Sequence, residues 1–177
     1  MIYLFRIISD EDPEFCRDLV IEGSDTFLDF HQTLQFDLGF DPTQLASFFT
    51  TSELWEKQQE ITLIDMAQDP DLPAVTMDQV TIDEYLTDVS QRMIYVYDFF
   101  SERAFFIELL EMSDQTSPKA TPFIAHSLGE APVQVSLDLL LDEPESGSGD
   151  LYLEELDDFR LDDLDPDLFD TESPDDF

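Results

Sequence analysis

Two periods of apolar residues run along this chain, and each change of period marks an element. Residues 1–9 are dense in Ile, Tyr, Leu and Phe and predict a first strand. Glu11-Asp12-Pro13-Glu14 predicts a turn. The run that follows places Phe15, Arg17, Leu19 and Ile21 on one face and Cys16, Asp18 and Val20 on the other, so the two runs predict a hairpin. The period then becomes helical: Phe27, Phe30, His31, Leu34 and Leu38 fall on one stripe. Ser24 is a good N-cap for a helix over 25–38, and Asp25 adds negative charge where the helix dipole favours it. Gly39 is placed to close that helix in a left-handed conformation, with Phe40 folding back on the last turn, and Asp41-Pro42 prevents continuation.

Residues 45–50 and 61–66 predict two further strands, while 52–59, with Trp55, declare no period. Asp69-Pro70-Asp71-Leu72-Pro73 is a loop by its prolines. Thr81 predicts the N-cap of a short helix over 82–86. A second hairpin follows: Ile94 and Val96 alternate with Met93, Tyr95 and Tyr97, and Phe105, Ile107 and Leu109 alternate with Phe106, Glu108 and Leu110. Residues 113–135, with Pro118, Pro122 and Pro132, read as loop. The expected fold class is α+β: a mostly antiparallel or mixed sheet of about five to six strands, with one main and one short helix packed on it. An apolar run at 137–141 ends the expected domain, 1–141, and 143–149 reads as a flexible linker.

Composition changes this picture most through charge. Of 177 residues, 43 are acidic and 7 basic, for a net charge of −36. Residues 142–177 hold 16 acidic residues and a single basic one, Arg160, so −15 falls on an acidic C-terminal linker and tail and −21 on residues 1–141. Dense like charge predicts a largely disordered tail. The seven basic residues are scattered, whereas a nucleic-acid binder clusters them to displace counterions. Direct nucleic-acid binding and docking on anionic lipid are therefore not expected, and a basic protein partner fits better. Cys16 is the single cysteine, so no intramolecular disulfide is expected. The first residues lack the basic start of a signal peptide, and no apolar stretch approaches 18 residues, so the expected location is the cytoplasm, with no membrane span.

The order of certain motifs resembles a known family. Phe27-Leu28-Asp29-Phe30-His31, Leu38-Gly39-Phe40-Asp41 and Leu45-Ala46-Ser47-Phe48-Phe49 are followed by Val80-Thr81-Ile82-Asp83-Glu84-Tyr85-Leu86. Tyr95-Val96-Tyr97-Asp98-Phe99 and Ile107-Glu108-Leu109 come next. Over about residues 1–135 this resembles the plasmid pRiA4b ORF-3-like family, whose most recognisable element is Tyr-x-Tyr-Asp-Phe-Gly-Asp. The chain departs from the family where Phe100-Ser101 replaces the Gly-Asp turn, where Arg103 stands near the usual Trp, and at 125–132, which lacks the family's cysteines. The resemblance implies a fold found in bacteria and archaea rather than an activity.

Candidate chemistry is thin. Asp98 ends a Tyr-rich strand, where a carboxylate either stabilises the turn or lines a pocket. With it, Tyr95, Tyr97 and His126 are the binding candidates, whereas His31 lies on the apolar stripe and reads as a core histidine. Two histidines and one cysteine make no zinc pattern, no Gly-x-Ser-x-Gly elbow or phosphate-binding glycine loop occurs, and 162–167 lacks the Gly and Glu of a calcium loop. No metal or cofactor is expected, and catalytic residues are not legible. In the tail, Phe159, Leu161, Leu164, Leu168 and Phe169 recur among acids, a pattern that keeps apolar side chains available to a basic-rimmed groove. The sequence thus points to a non-enzymatic acidic protein-interaction module. Two alternatives stand beside it: a DNA mimic that occupies a basic nucleic-acid-binding groove, and an enzyme with a carboxylate-based site near Asp98. Oligomeric state is not legible.

Overall fold

The computed structural model describes residues 1–65, 74–117 and 119–134, all within Met1–Leu140, the first of two units into which the chain divides. The predicted loop at 69–73, the run at 137–141 and the tail lie outside the described residues. In chain order the elements are β1 (Ile2–Ser9), β2 (Cys16–Glu22), α1 (Phe27–Leu38), β3 (Ser47–Thr51), β4 (Lys57–Thr62), α2 (Ile82–Tyr85), β5 (Arg92–Asp98), β6 (Arg103–Ser113) and β7 (Phe123–Leu128). The strands form one sheet in the order β4-β3-β5-β6-β1-β2-β7, and every neighbouring pair is antiparallel.

The sheet has seven strands, more than the five to six expected. The additional strand is β7, which lies inside the stretch read as loop. It is short, largely exposed and flanked by Pro122 and Pro132, and among the described strands it pairs on one side only, so no run of buried apolar residues announces it. The strand expected at 61–66 instead spans Lys57–Thr62. The first four residues of β4 are exposed and polar, as suits an edge strand, and hydrophobic patterning cannot see them.

Alternation sends Phe5 and Ile7 of β1, Leu19 and Ile21 of β2, Tyr95 of β5, and Phe105, Ile107 and Leu109 of β6 to one face, all buried. α1 covers that face with Phe27, Phe30, Leu34 and Leu38. Phe30 sets its ring edge-on to both Phe5 and Phe48, each 5.2 Å away between centroids. Each such buried side chain contributes about 1.5–3 kcal/mol from the area withdrawn from water.

The helix starts later than Ser24 suggests. Its N-cap is Thr26, whose hydroxyl accepts the Asp29 N–H while the Asp29 carboxylate accepts the Thr26 N–H. This reciprocal box satisfies two amides that helix geometry leaves open. Asp25 turns back instead and accepts the Glu22 N–H at 3.0 Å. At the other end Gly39 adopts φ 67° and closes the helix, as its position predicts.

The opposite sheet face carries Leu4, Ile8, Phe49, Ile94 and Phe106 between two ion pairs, Arg6–Asp18 and Arg92–Glu108. Trp55 packs its ring edge-on to Phe106 at 5.1 Å, and the Arg92 guanidinium lies 5.0 Å from the Trp55 ring centre.

Candidate functional site

Tyr95 and Tyr97 are two residues apart on β5, so both point toward the helix side, and both are buried. Tyr95 packs against Phe48 at 4.7 Å. Its hydroxyl accepts a hydrogen bond from Gln35 Nε2 at 2.7 Å and lies 2.8 Å from His31 Nδ1. With Gln35 donating, the hydroxyl hydrogen is left for His31, which suits a neutral imidazole. Burial drives both groups to their uncharged forms: it pushes the His31 imidazolium down to about 4 and the Tyr95 phenol well up. His31 is thus a core histidine, and Gln35, absent from the apolar stripe, is the residue that sequence reasoning missed here.

Tyr97 belongs to a separate cluster. Its hydroxyl donates to Glu11 at 3.2 Å, and Arg103 grips the same carboxylate with two bonds of 2.6 and 2.7 Å. The hydrogen bonds from Arg103 hold the Glu11 carboxyl below its usual range, while burial raises the Tyr97 phenol. Arg103 also donates to the Val133 carbonyl at 2.7 Å, so it ties the β1–β2 turn and the 129–134 segment to β6. Asp98 Oδ1 accepts the N–H groups of Phe100 and Ser101 at 2.9 and 3.0 Å. It occupies the turn-stabilising position anticipated for a carboxylate at that strand end. The turn displays Phe100, 88% exposed, and half-exposed Phe99.

His126 does not join these residues. It is exposed on β7, opposite Asp18, and β6, β1 and β2 stand between β7 and β5. The four binding candidates therefore fall into three places: a buried polar knot at Tyr95, an ion-paired cluster at Tyr97 with Asp98 at its turn, and an edge strand. The tail candidates Phe159, Leu161, Leu164, Leu168 and Phe169 lie outside the described residues. Among the described residues no group of three His, Cys, Asp or Glu side chains is placed to hold a metal ion, and no helix is long and apolar enough to cross a membrane.

A groove of about 630 Å³ runs between α1 and β7. Thr33, Phe36 and Asp37 of the helix form one wall, and Pro122, Phe123 and Ile124 form the other. Phe36 is 91% exposed, the most exposed large apolar side chain among the described residues. Its position was a readable signal: it falls off the Phe27–Leu38 stripe, where a polar residue is expected. At the lower end of the groove Arg17, itself nearly buried, bonds Asp37 at 2.7 Å and the carbonyls of Leu128 and Gly129 at 2.7 and 3.2 Å.

Electrostatics sets these surfaces in context. All four arginines among the described residues form ion pairs with carboxylates of this chain: Arg6 with Asp18, Arg17 with Asp37, Arg92 with Glu108 and Arg103 with Glu11. Lys57 and Lys119 lie over the Phe49 and Phe123 rings. Internal partners absorb the positive charge, and the carboxylate excess faces outward.

An antiparallel sheet covered on one face by a helix defines an α+β domain. The profile of the plasmid pRiA4b ORF-3-like protein family matches residues 2–135, and the chain belongs to that family. A crystal structure of a protein of unknown function from Methanosarcina mazei Go1 is similar in fold, with a TM-score of 0.59 and 18% identity over 74% of this chain and 71% of that one. No curated protein matches the chain.

Proposed function

We propose that this chain is a non-enzymatic, acidic protein-interaction module that binds a basic protein partner. One observation carries the reading: the four arginines of the described domain are spent on internal carboxylates, in a chain of 43 acidic and 7 basic residues. The outward field is therefore negative, and such a field favours encounter with cationic surfaces while it repels nucleic acid and anionic lipid. Exposed Phe36 and Phe100 supply apolar anchors within that field. The tyrosines support the same reading, because burial holds both phenols protonated and their hydroxyls are engaged inside the fold.

Affinity capture from the native cytosol with the full chain, followed by binding of the purified partner at rising salt, tests this. The expected result is a basic partner whose dissociation constant rises at least about tenfold between 50 and 500 mM NaCl as screening lengths shorten. Displacement of that partner by duplex DNA would assign its contact surface to a nucleic-acid groove, the DNA-mimic form of the same activity. Binding indifferent to salt, or no partner at low salt, overturns the proposal.

A further inference from the structure

We infer that the groove between α1 and β7 is a strand-addition site for an extended peptide segment with an apolar anchor residue and a Lys or Arg two positions from it, on the same face, at the Asp37 end. The inference rests on the interaction-module reading and gives it a place. β7 ends the sheet, so among the described strands its outer backbone edge has no partner. Unpaired N–H and C=O groups along such an edge are a template for a further strand. A strand added there lies about 4.8 Å outside β7. Its side chains alternate between the two sheet faces, and those on the helix side meet the wall made by Thr33 and Phe36.

The helix-side face of β7 is apolar where the groove is deepest: Ile124 packs partly against the core, opposite Leu19. An anchor side chain seated on Ile124 would cover the Phe36 ring, which packs on little else. The groove thus offers both halves of this recognition mode, a backbone edge for affinity and a side-chain slot for choice. β4, the opposite edge, offers only the first, since Lys57, Gln58, Gln59 and Glu60 are all exposed and polar.

Charge selects the residue two positions from the anchor, which shares its face. The last turn of α1 contains Asp37 and no basic residue, and a helix C-terminus favours a cation. Arg17 reaches Asp37 from the strand side, where it is nearly buried, so it does not serve the solvent side. At the other end Lys119 covers Phe123, 5.2 Å from the ring centre. A cation is therefore favoured at the Asp37 end, beside Leu128, and not at the Lys119 end.

The test uses the full chain, labelled with ¹⁵N, and a synthetic ten-residue Val- and Thr-rich peptide with a central Phe and a Lys two residues before it, so that in the antiparallel register of the sheet both face the helix and the Lys lies at the Asp37 end. Its Glu-for-Lys counterpart and a counterpart with two internal prolines serve as controls. The expected result is saturable shifts of amides in 122–128 and 32–37, slowed hydrogen exchange along β7, and at least about tenfold weaker binding by Phe36→Ser, as for loss of an anchor. Phe36 is so exposed that this change leaves the fold intact, which the unshifted spectrum of the variant verifies. Equal binding of the proline peptide overturns strand addition. Saturable shifts confined to other residues overturn the groove while leaving the interaction-module reading standing. No shift with any basic peptide overturns both.

Discussion

His31, Gln35 and Tyr95 are polar groups buried in the core, and their energetics follow from the two contacts they share at the Tyr95 hydroxyl, while Gln35 Oε1 has no hydrogen-bond partner among the described residues. Tyr95→Phe removes the hydroxyl that Gln35 and His31 share and leaves two buried groups unpaired, so it should cost about 1–3 kcal/mol in urea unfolding. The His31 imidazole is held down to about 4 by burial, whereas it titrates near 6.5 in the unfolded chain. A base with a depressed folded-state value takes up its proton in the unfolded state first. Its contribution is complete above pH 6.5, declines as pH falls toward 4, and amounts to on the order of 3 kcal/mol over that window. His31→Gln should flatten the stability profile between pH 6.5 and 4. The acid lability from Glu11, whose carboxyl is held low by Arg103, sets in as pH falls past its ordinary value of 4.5, at the acid end of that window, and should persist in the variant. The sequence announced His31 as a core residue through its place on the apolar stripe. It could not announce the knot, because Gln35 and Tyr95 are 60 residues apart and nothing local links them.

At the scale of elements, legibility tracked burial. The central strands and α1 bury a regular face, so their alternation and stripe were visible; β4 and β7 bury little, so the one was misplaced and the other read as loop. Capping shows a second limit. Ser24 and Thr26 are both acceptable N-caps, and the choice between them is made by Asp29, which stands at the right spacing to complete a box with Thr26. Thr26→Ala should therefore destabilise the domain by about 1 kcal/mol. Ser24→Ala should stay within about 0.5 kcal/mol. Paired thermal melts of the two variants check this. At the end of β7, Gly129 adopts φ 69° and a Cβ there would lie 2.8 Å from the Glu14 carbonyl oxygen. Gly129→Ala should cost about 1–3 kcal/mol and, because Arg17 bonds the Gly129 carbonyl, should raise hydrogen exchange along β7 ahead of the central strands.

For the molecule as a whole, the −36 charge sets two opposing responses to salt. Screening weakens the four arginine ion pairs, which are partly exposed and individually worth about 0–1 kcal/mol. It also relieves repulsion among a far larger number of carboxylates. The second effect should win, so the melting temperature should rise by several degrees between 10 and 500 mM NaCl, about 1 kcal/mol on the usual scale for a domain of this size. A fall would mean that the ion pairs dominate. Net charge was fully legible in the sequence; which arginines are committed internally was not, since their partners lie up to 92 residues away.

The place of β1 inside the sheet bears on how the chain is made. β1 leaves the ribosome ahead of the other described strands, yet its second neighbour is β6, some hundred residues later. At synthesis rates of about 5–20 residues per second, the nascent hairpin of β1 and β2 waits about 5–20 seconds with one edge open. The acidic turn at Asp10, Glu11 and Asp12 travels with it. The charge that repels other chains from the finished domain is thus already present during the interval when association would do the most harm.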